Sequence, residues 1–351
     1  MPNAYFNEIS EKQTLRLREL LRELPGFLRD FFNGVADNTT ARTRLGYAID
    51  IKIFLNFLVK EVRGFDKEVA DITLADMEKV TKADLEEFKS YLDYYIKGEG
   101  GDAVIYRNHE VGKSRKLSAI RSMYRFFQKR DRIAKNPADV LEYPKVRDKG
   151  IVRLEYNEMA KLLDTVESGE GLSDRQKSYH EYTKVRDLAI VTLLLGTGIR
   201  VSECVGIDIA HLDFENGGIY ITRKGGGDAL VYFGDEVEEA LDKYMETREE
   251  IHAVAGHEKA LFLSMQRRRL DVRSVQKIVK KYASLVTSYK NITPHKLRST
   301  FGTNLYRETE DIYLVADVLG HKSVETTRKH YADMSDTNRR KAARAIRLRE
   351  E

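Results

Sequence analysis

The chain has 351 residues, enough for two domains with separate hydrophobic cores. No apolar run approaches the roughly 18 residues needed to span a bilayer, which excludes a transmembrane helix. A lone cysteine, Cys204, excludes an internal disulfide and any zinc site built from several cysteines, and a net charge of +4 does not by itself argue for nucleic acid.

In chain order, residues 1–10 lack the basic-then-apolar pattern of a secretory leader, so a reducing cytoplasm is the expected compartment. Residues 1–36 read as a helical extension, with Leu15, Leu17, Leu20, Leu21 and Leu24, then Phe27, Leu28 and Phe31, at helical spacing and a break at Pro25-Gly26. From Thr39 a stronger helix carries Tyr47, Ile51, Phe54, Leu55 and Leu58 on one stripe, with Arg42 and Arg44 elsewhere as candidate DNA contacts; Tyr47 and Phe54 are read as core. Thr81 with Asp84 three residues on is a capping-box signature for a helix carrying Leu85, Phe88, Leu92 and Tyr95. Residues 98–112 read as a polar loop. The next helix places Leu117, Ile120, Tyr124 and Phe127 on an apolar face and Lys113, Arg115, Lys116, Arg121 and Arg125 on a basic surface suited to phosphates, and Asn136-Pro137 ends it.

Residues 144–152 read as an interdomain linker. Beyond it come a helix over 157–166, a polar insertion over 169–181 and a buried helix over 185–195. The last runs into Gly196-Thr197-Gly198, which serves either a constrained site or a tight helix–helix turn. Two β-prone runs, 218–222 and 229–233, flank a glycine-rich tip and predict an antiparallel hairpin with Lys224 near its turn. Helices follow over 236–247, 272–287, 294–307, 312–319 and 324–332. The charge is unevenly distributed. Twelve Lys/Arg face four Asp/Glu between Lys113 and Lys149, and six basic residues with no acidic one lie between Arg339 and Arg349. A solvated helix face is the ordinary reading of either run, and a phosphate-binding surface is the other.

His295 and Arg298 share one face at the start of a helix capped by Thr293 and opened by Pro294, an arrangement that suits an anion. His-x-x-Arg alone is a common pattern. Arg200 follows the Gly196–Gly198 break, Glu203 reads as a carboxylate bracing Arg200 or an adjacent group, and Lys224 reads either as a mobile reagent or as a plain surface lysine. The eight histidines show no metal-ligand spacing beside paired carboxylates. A phosphodiester can be attacked by a phenol if arginine forks hold its non-bridging oxygens, a base takes the phenolic proton and an acid protonates the departing 5′ oxygen. Arg200 and Arg298 fit the first role, Tyr331 the nucleophile, His295 the base, Lys224 the acid and His321 a hydrogen-bond donor to the phosphate. Such chemistry requires neither metal nor ATP, because the phosphotyrosine retains the bond energy.

In this order the residues resemble tyrosine recombinases of the Xer/phage-integrase type, over about residues 39–335. Thr197-Gly198-Ile199-Arg200-Val201-Ser202-Glu203 resembles the first arginine motif, Lys224 the hairpin lysine, His295-Lys296-Leu297-Arg298 the His-x-x-Arg motif, and Leu319-Gly320-His321 with Tyr331 the closing histidine and nucleophile. Family members often hold the tyrosine nine residues after the last histidine; here His330 occupies that place and Tyr331 is tenth. The resemblance implies a mainly α fold, with a SAM-like helical core-binding domain over 37–143 and a mostly helical catalytic domain over 153–335 carrying a small antiparallel sheet. It further implies a basic tail over 336–351 exchanged between protomers, no cofactor, a double-stranded DNA target, a homotetramer at synapsis and a Holliday junction. Chromosome dimer resolution, mobile-element integration and the need for a partner or accessory protein stay open, as do two other readings: a fold retained for DNA binding alone, and a type IB topoisomerase.

Overall fold

Capping and apolar periodicity build most of the N-terminal helices. In the computed structural model, residues 4–98, 103–145, 150–223, 226–321 and 323–331 are described. They divide into two compact units at residues 149 and 150. The first contains α1 (Ala4–Leu20), α2 (Leu28–Gly34), α3 (Ala41–Glu61), α4 (Leu74–Lys79), α5 (Lys82–Tyr91), β1 (Tyr94–Lys97), β2 (Val104–Arg107) and α6 (Glu110–Gln128). Thr40 caps α3 by accepting from the Thr43 N–H, and reciprocal boxes Thr73–Asp76 and Thr81–Asp84 start α4 and α5. Ile51, Phe54, Leu55 and Leu58 pack with Phe88, Ile120 and Tyr124 in one core, where the buried Tyr124 hydroxyl donates to Met77 O at 3.0 Å. Leu17, Leu28 and Phe31 join the same core. Residues 4–36 are therefore part of this unit rather than a separate extension, since their apolar side chains pack into its core.

A second difference concerns residues 94–107. Tyr95 was expected on the apolar face of the preceding helix, and 98–112 as loop. Tyr94–Lys97 and Val104–Arg107 instead pair antiparallel, with Tyr95 opposite Tyr106 and their rings stacked at 5.4 Å. The alternation of aromatic and β-branched residues supplies the strand preference that the intervening glycines obscured. Residues 146–149, inside the expected linker, lie outside the described residues.

The second unit comprises α7 (Tyr156–Ser168), α8 (Asp174–Thr197), α9 (Val201–Val205), β3 (Leu212–Asp213), β4 (Gly218–Thr222), β5 (Asp228–Tyr232), α10 (Asp235–Glu249), α11 (Val272–Val286), α12 (Pro294–Thr309), α13 (Ile312–Leu319) and α14 (Val324–Tyr331). The strands form an antiparallel sheet ordered β3-β4-β5, with Tyr220 opposite Leu230; the two-residue β3 was too short to read from sequence. Helix α8 is longer than expected, absorbing most of the polar insertion from Asp174 onward. Ser173 starts it, its N–H donating to Gln176 Oε1 at 3.0 Å. The later turns of α8 bury Ala189, Ile190, Leu193 and Leu194, and α7, α10 and α12 pack around them. No described helix is long and apolar enough to cross a membrane.

Candidate functional site

The site is assembled where α8, α12 and α13 end or begin. Helix α8 terminates at Gly198, which adopts φ +62°. A Cβ there would lie 2.3 Å from Phe301 Cδ1 and 3.0 Å from Leu319 Cδ2, so both the backbone angle and the close approach of α12 and α13 require glycine. The chain then turns through buried Ile199 to Arg200, the N-cap of α9. The Arg200 backbone N–H donates to Glu203 Oε2 at 2.7 Å and its guanidinium to Oε1 at 2.8 Å. Glu203 is 2% exposed while Arg200 is 32% exposed, so a buried carboxylate braces a reachable cation.

Pro294 opens α12, where a missing N–H costs nothing, and Arg298 lies in the following turn. Arg298 is buried. Its guanidinium donates to Gly198 O at 2.6 Å and to Leu319 O, tying the end of α8 to the end of α13. Arg200 also donates to Gly320 O at 3.3 Å, and Arg223, at the foot of β4, donates to Val318 O at 3.0 Å. Three guanidinium groups thus meet three successive carbonyls, 318 to 320, at the C-terminal end of α13. Helix ends leave such carbonyls unpaired and carry the negative end of the helix dipole, so cations are stabilised there. Arg223 is half-buried; burial lowers its pKa, Arg200 adds to the lowering, and Glu203 and Asp317 oppose it.

Gly320, at φ +60°, caps α13 and turns the chain into His321. The His321 N–H donates to Ala316 O at 2.9 Å, and its Nδ1 lies 2.7 Å from Oγ1 of Thr327 on α14. Thr327 is fully buried, so this contact fixes the imidazole to the helix that ends, four residues later, at Tyr331. His295 is exposed on the first turn of α12, one turn before Arg298. Lys224 lies outside the described residues, as does the 336–351 tail. The structure therefore joins Arg200, Glu203, Arg298 and His321 around one helix terminus. It adds Arg223 and Thr327, which the sequence reading had not assigned to the site.

The proposed phosphate contacts of the N-terminal unit are differently placed. Lys116 is buried, its ammonium donates to Asn108 Oδ1 at 2.7 Å, and burial lowers its pKa. It holds the β2–α6 connection and does not belong to the basic surface expected of it. Arg115 forks onto the fully buried Asp50, Lys113 pairs with Asp93, and Arg44 donates to Ala36 O and Thr39 O. Arg121 bonds Ala138 O and lies over the Tyr143 ring at 4.1 Å, while exposed Arg125 pairs with Asp139 and Arg42 is exposed. Arg121, Arg125, Lys129 and Arg130 line an open groove of about 450 Å³ with no acidic side chain among its described lining residues.

A model of the phage integrase family matches residues 152–338, which contain the whole arginine and histidine cluster. The chain belongs to the phage integrase family. Tyrosine recombinase XerS of Streptococcus thermophilus (strain CNRZ 1066) is 30% identical over 346 residues, covering 88% of this chain and 94% of that protein. Tyrosine recombinase XerC of Caldanaerobacter subterraneus subsp. tengcongensis is 29% identical over 350 residues, covering 97% and 92% respectively. Among solved structures, XerH site-specific recombinase bound to palindromic difH substrate, a post-cleavage complex, is 20% identical with a TM-score of 0.64, over 89% of this chain and 81% of that one. The mainly helical architecture with its small antiparallel sheets is thus the tyrosine recombinase fold.

Proposed function

We propose that this phage-integrase-family chain is a site-specific tyrosine recombinase, cutting and rejoining DNA strands through a 3′-phosphotyrosyl intermediate at Tyr331. The observation that carries the proposal is the convergence of Arg200 and Arg298 beside His321 at the end of α13. In the cleavage step the Tyr331 oxygen bonds to phosphorus and the bond to the 5′ oxygen breaks. The phenolic proton passes to His295, and Lys224 supplies a proton to the departing 5′ oxygen. Arg200 and Arg298 neutralise the charge gathering on the non-bridging oxygens, where planar forks fit best, and His321 donates to the same phosphate. Glu203 holds Arg200 in place. Attack by a 5′ hydroxyl from a second strand reverses the step and gives a Holliday junction after one exchange.

The partner is double-stranded DNA, engaged by four protomers at synapsis. The groove lined by Arg121, Arg125, Lys129 and Arg130 supports a phosphate contact from the N-terminal unit. Residues 336–351 dock on a neighbouring protomer. The compartment is the bacterial cytoplasm. The names of the relatives favour recombination over relaxation of supercoils and over binding without cleavage.

The test is covalent capture. Wild type and Tyr331→Phe are incubated with sheared genomic DNA and chelator, denatured in SDS, and the protein-bound DNA is sequenced. Adducts from wild type alone, enriched for one sequence, are expected. Equal adducts from both proteins would move the nucleophile elsewhere, and adducts formed only when metal is added would replace this chemistry with another.

A further inference from the structure

A buried carboxylate in the N-terminal unit holds an arginine in an orientation that the proposed reaction leaves without a purpose. Asp50, on α3, is 0% exposed, whereas the Arg115 side chain paired with it is 55% exposed. The two Nη atoms of Arg115 donate to the two carboxylate oxygens, Nη2 to Oδ1 at 2.8 Å. Such a fork fixes the plane of the guanidinium. It uses one edge only, and Nε–H with the other Nη2 hydrogen forms a second fork on the same group. Burial raises the Asp50 pKa, and Arg115 and Lys116 oppose the rise. Desolvation offsets much of the attraction when a charge is buried, so net stability is a weak reason for this pair. The arrangement repeats that of Glu203 and Arg200, a carboxylate 2% exposed beneath an arginine 32% exposed. Arg115 also belongs to a stripe. Val111, Arg115, Ser118, Ser122, Arg125 and Lys129 recur at steps of four and three along α6, opposite the face that buries Leu117, Ile120, Tyr124 and Phe127. Arg125 pairs with the exposed Asp139, which fixes it weakly, whereas Arg115 stands on a fully buried acid.

We infer that Asp50 is a positioning residue for sequence readout, holding Arg115 so that its second fork meets the O6 and N7 edge of one guanine in the target site. The inference rests on the recombinase reading above. An arginine bonded to both of those acceptors distinguishes guanine from the other bases. Setting the guanidinium plane before contact removes the cost of ordering a long side chain on binding. An arginine without such a brace is free to follow the phosphates, which carry no sequence information.

The test measures affinity of the full chain for the captured DNA site and for duplexes in which each base pair of that site is changed in turn. Replacing one particular guanine should weaken wild-type binding by about 5- to 150-fold. Arg115→Ala should erase that penalty and keep the penalties at other positions. Asp50→Asn retains every cation, so its dependence on salt should match wild type. It should nevertheless lose the penalty at the same guanine, and the double variant should add no further loss. Uniform weakening of all duplexes by Arg115→Ala, with a salt slope lower by about 1, would make Arg115 a phosphate contact and overturn the inference. An Asp50→Asn protein that keeps the guanine penalty would overturn it too. If Asp50→Asn melts well below wild type, Gly46→Leu takes its place. A Cβ at position 46 would lie 3.8 Å from Arg115 Nη1, so the longer side chain displaces the guanidinium and leaves the carboxylate intact. Loss of the same guanine penalty is expected, and its persistence would count against the inference. A wild type that binds the captured site no better than a scrambled duplex would instead defeat the site-specific reading itself.

Discussion

Arg298 is expected to hold two helix ends together as well as to hold a phosphate. Its guanidinium bonds Gly198 O at the end of α8 and Leu319 O at the end of α13, and it is only 5% exposed. Hydrogen bonds from a charged donor contribute about 1.5–3 kcal/mol each. Part of that is offset by the cost of keeping a cation buried, leaving about 2–4 kcal/mol lost in Arg298→Ala. For a unit of this size each kcal/mol moves the melting temperature by about 2–4 °C, so a fall of roughly 4–16 °C is expected. Cleavage of the captured site should fall by about 10²–10³-fold or more, as when one preorganised charge donor is removed. Arg298→Lys keeps the charge but reaches one carbonyl at a time. It should recover part of the melting temperature and little of the cleavage. Thermal unfolding followed by circular dichroism, beside single-turnover cleavage, checks both. Wild-type melting of Arg298→Ala would refute the bridge, and wild-type cleavage by Arg298→Lys would show that an undirected positive charge is enough.

Thr327→Val removes the hydroxyl from His321 Nδ1 with little change of shape, and should slow cleavage by about tenfold while leaving DNA affinity unchanged; unaltered cleavage would mean that α14 does not orient the imidazole. Gly198→Ala forces a side chain into a left-handed backbone and against Phe301, and should cost about 2–4 kcal/mol in denaturant unfolding, with an unchanged midpoint counting against the close approach. Joint replacement of Lys129 and Arg130 by alanine should flatten the dependence of log affinity on log salt by about 2, whereas Lys116→Ala should lower the melting temperature and leave that slope alone. The reverse pattern would return Lys116 to the DNA surface.

Arg200, Glu203, Arg298 and His321 were readable because each is announced locally, by a glycine break, a three-residue helical spacing or a helix terminus. Arg223 was not, since an arginine in an Arg-Lys-Gly-Gly-Gly turn looks solvent-exposed until Val318 O, far along the chain, is brought to it. Thr327 carries no signal beyond its place on an amphipathic helix. Lys116 misled for the opposite reason. It borders the apolar stripe of α6, and whether such a lysine faces water depends on Asn108, which arrives with a hairpin the sequence reading missed. The polar first turns of α8 read as an insertion in the sequence because helix periodicity is legible only where one face is apolar.

The central claim is that Tyr331 becomes joined to DNA. The most direct measurement digests the SDS-trapped adduct with nuclease and protease and locates the residual nucleotide by tandem mass spectrometry. The account predicts a 3′-linked nucleotide on the tyrosine of the peptide containing His330 and Tyr331, carried on the Tyr331 oxygen. A nucleotide on any other residue, or a linkage through its 5′ end, would contradict it.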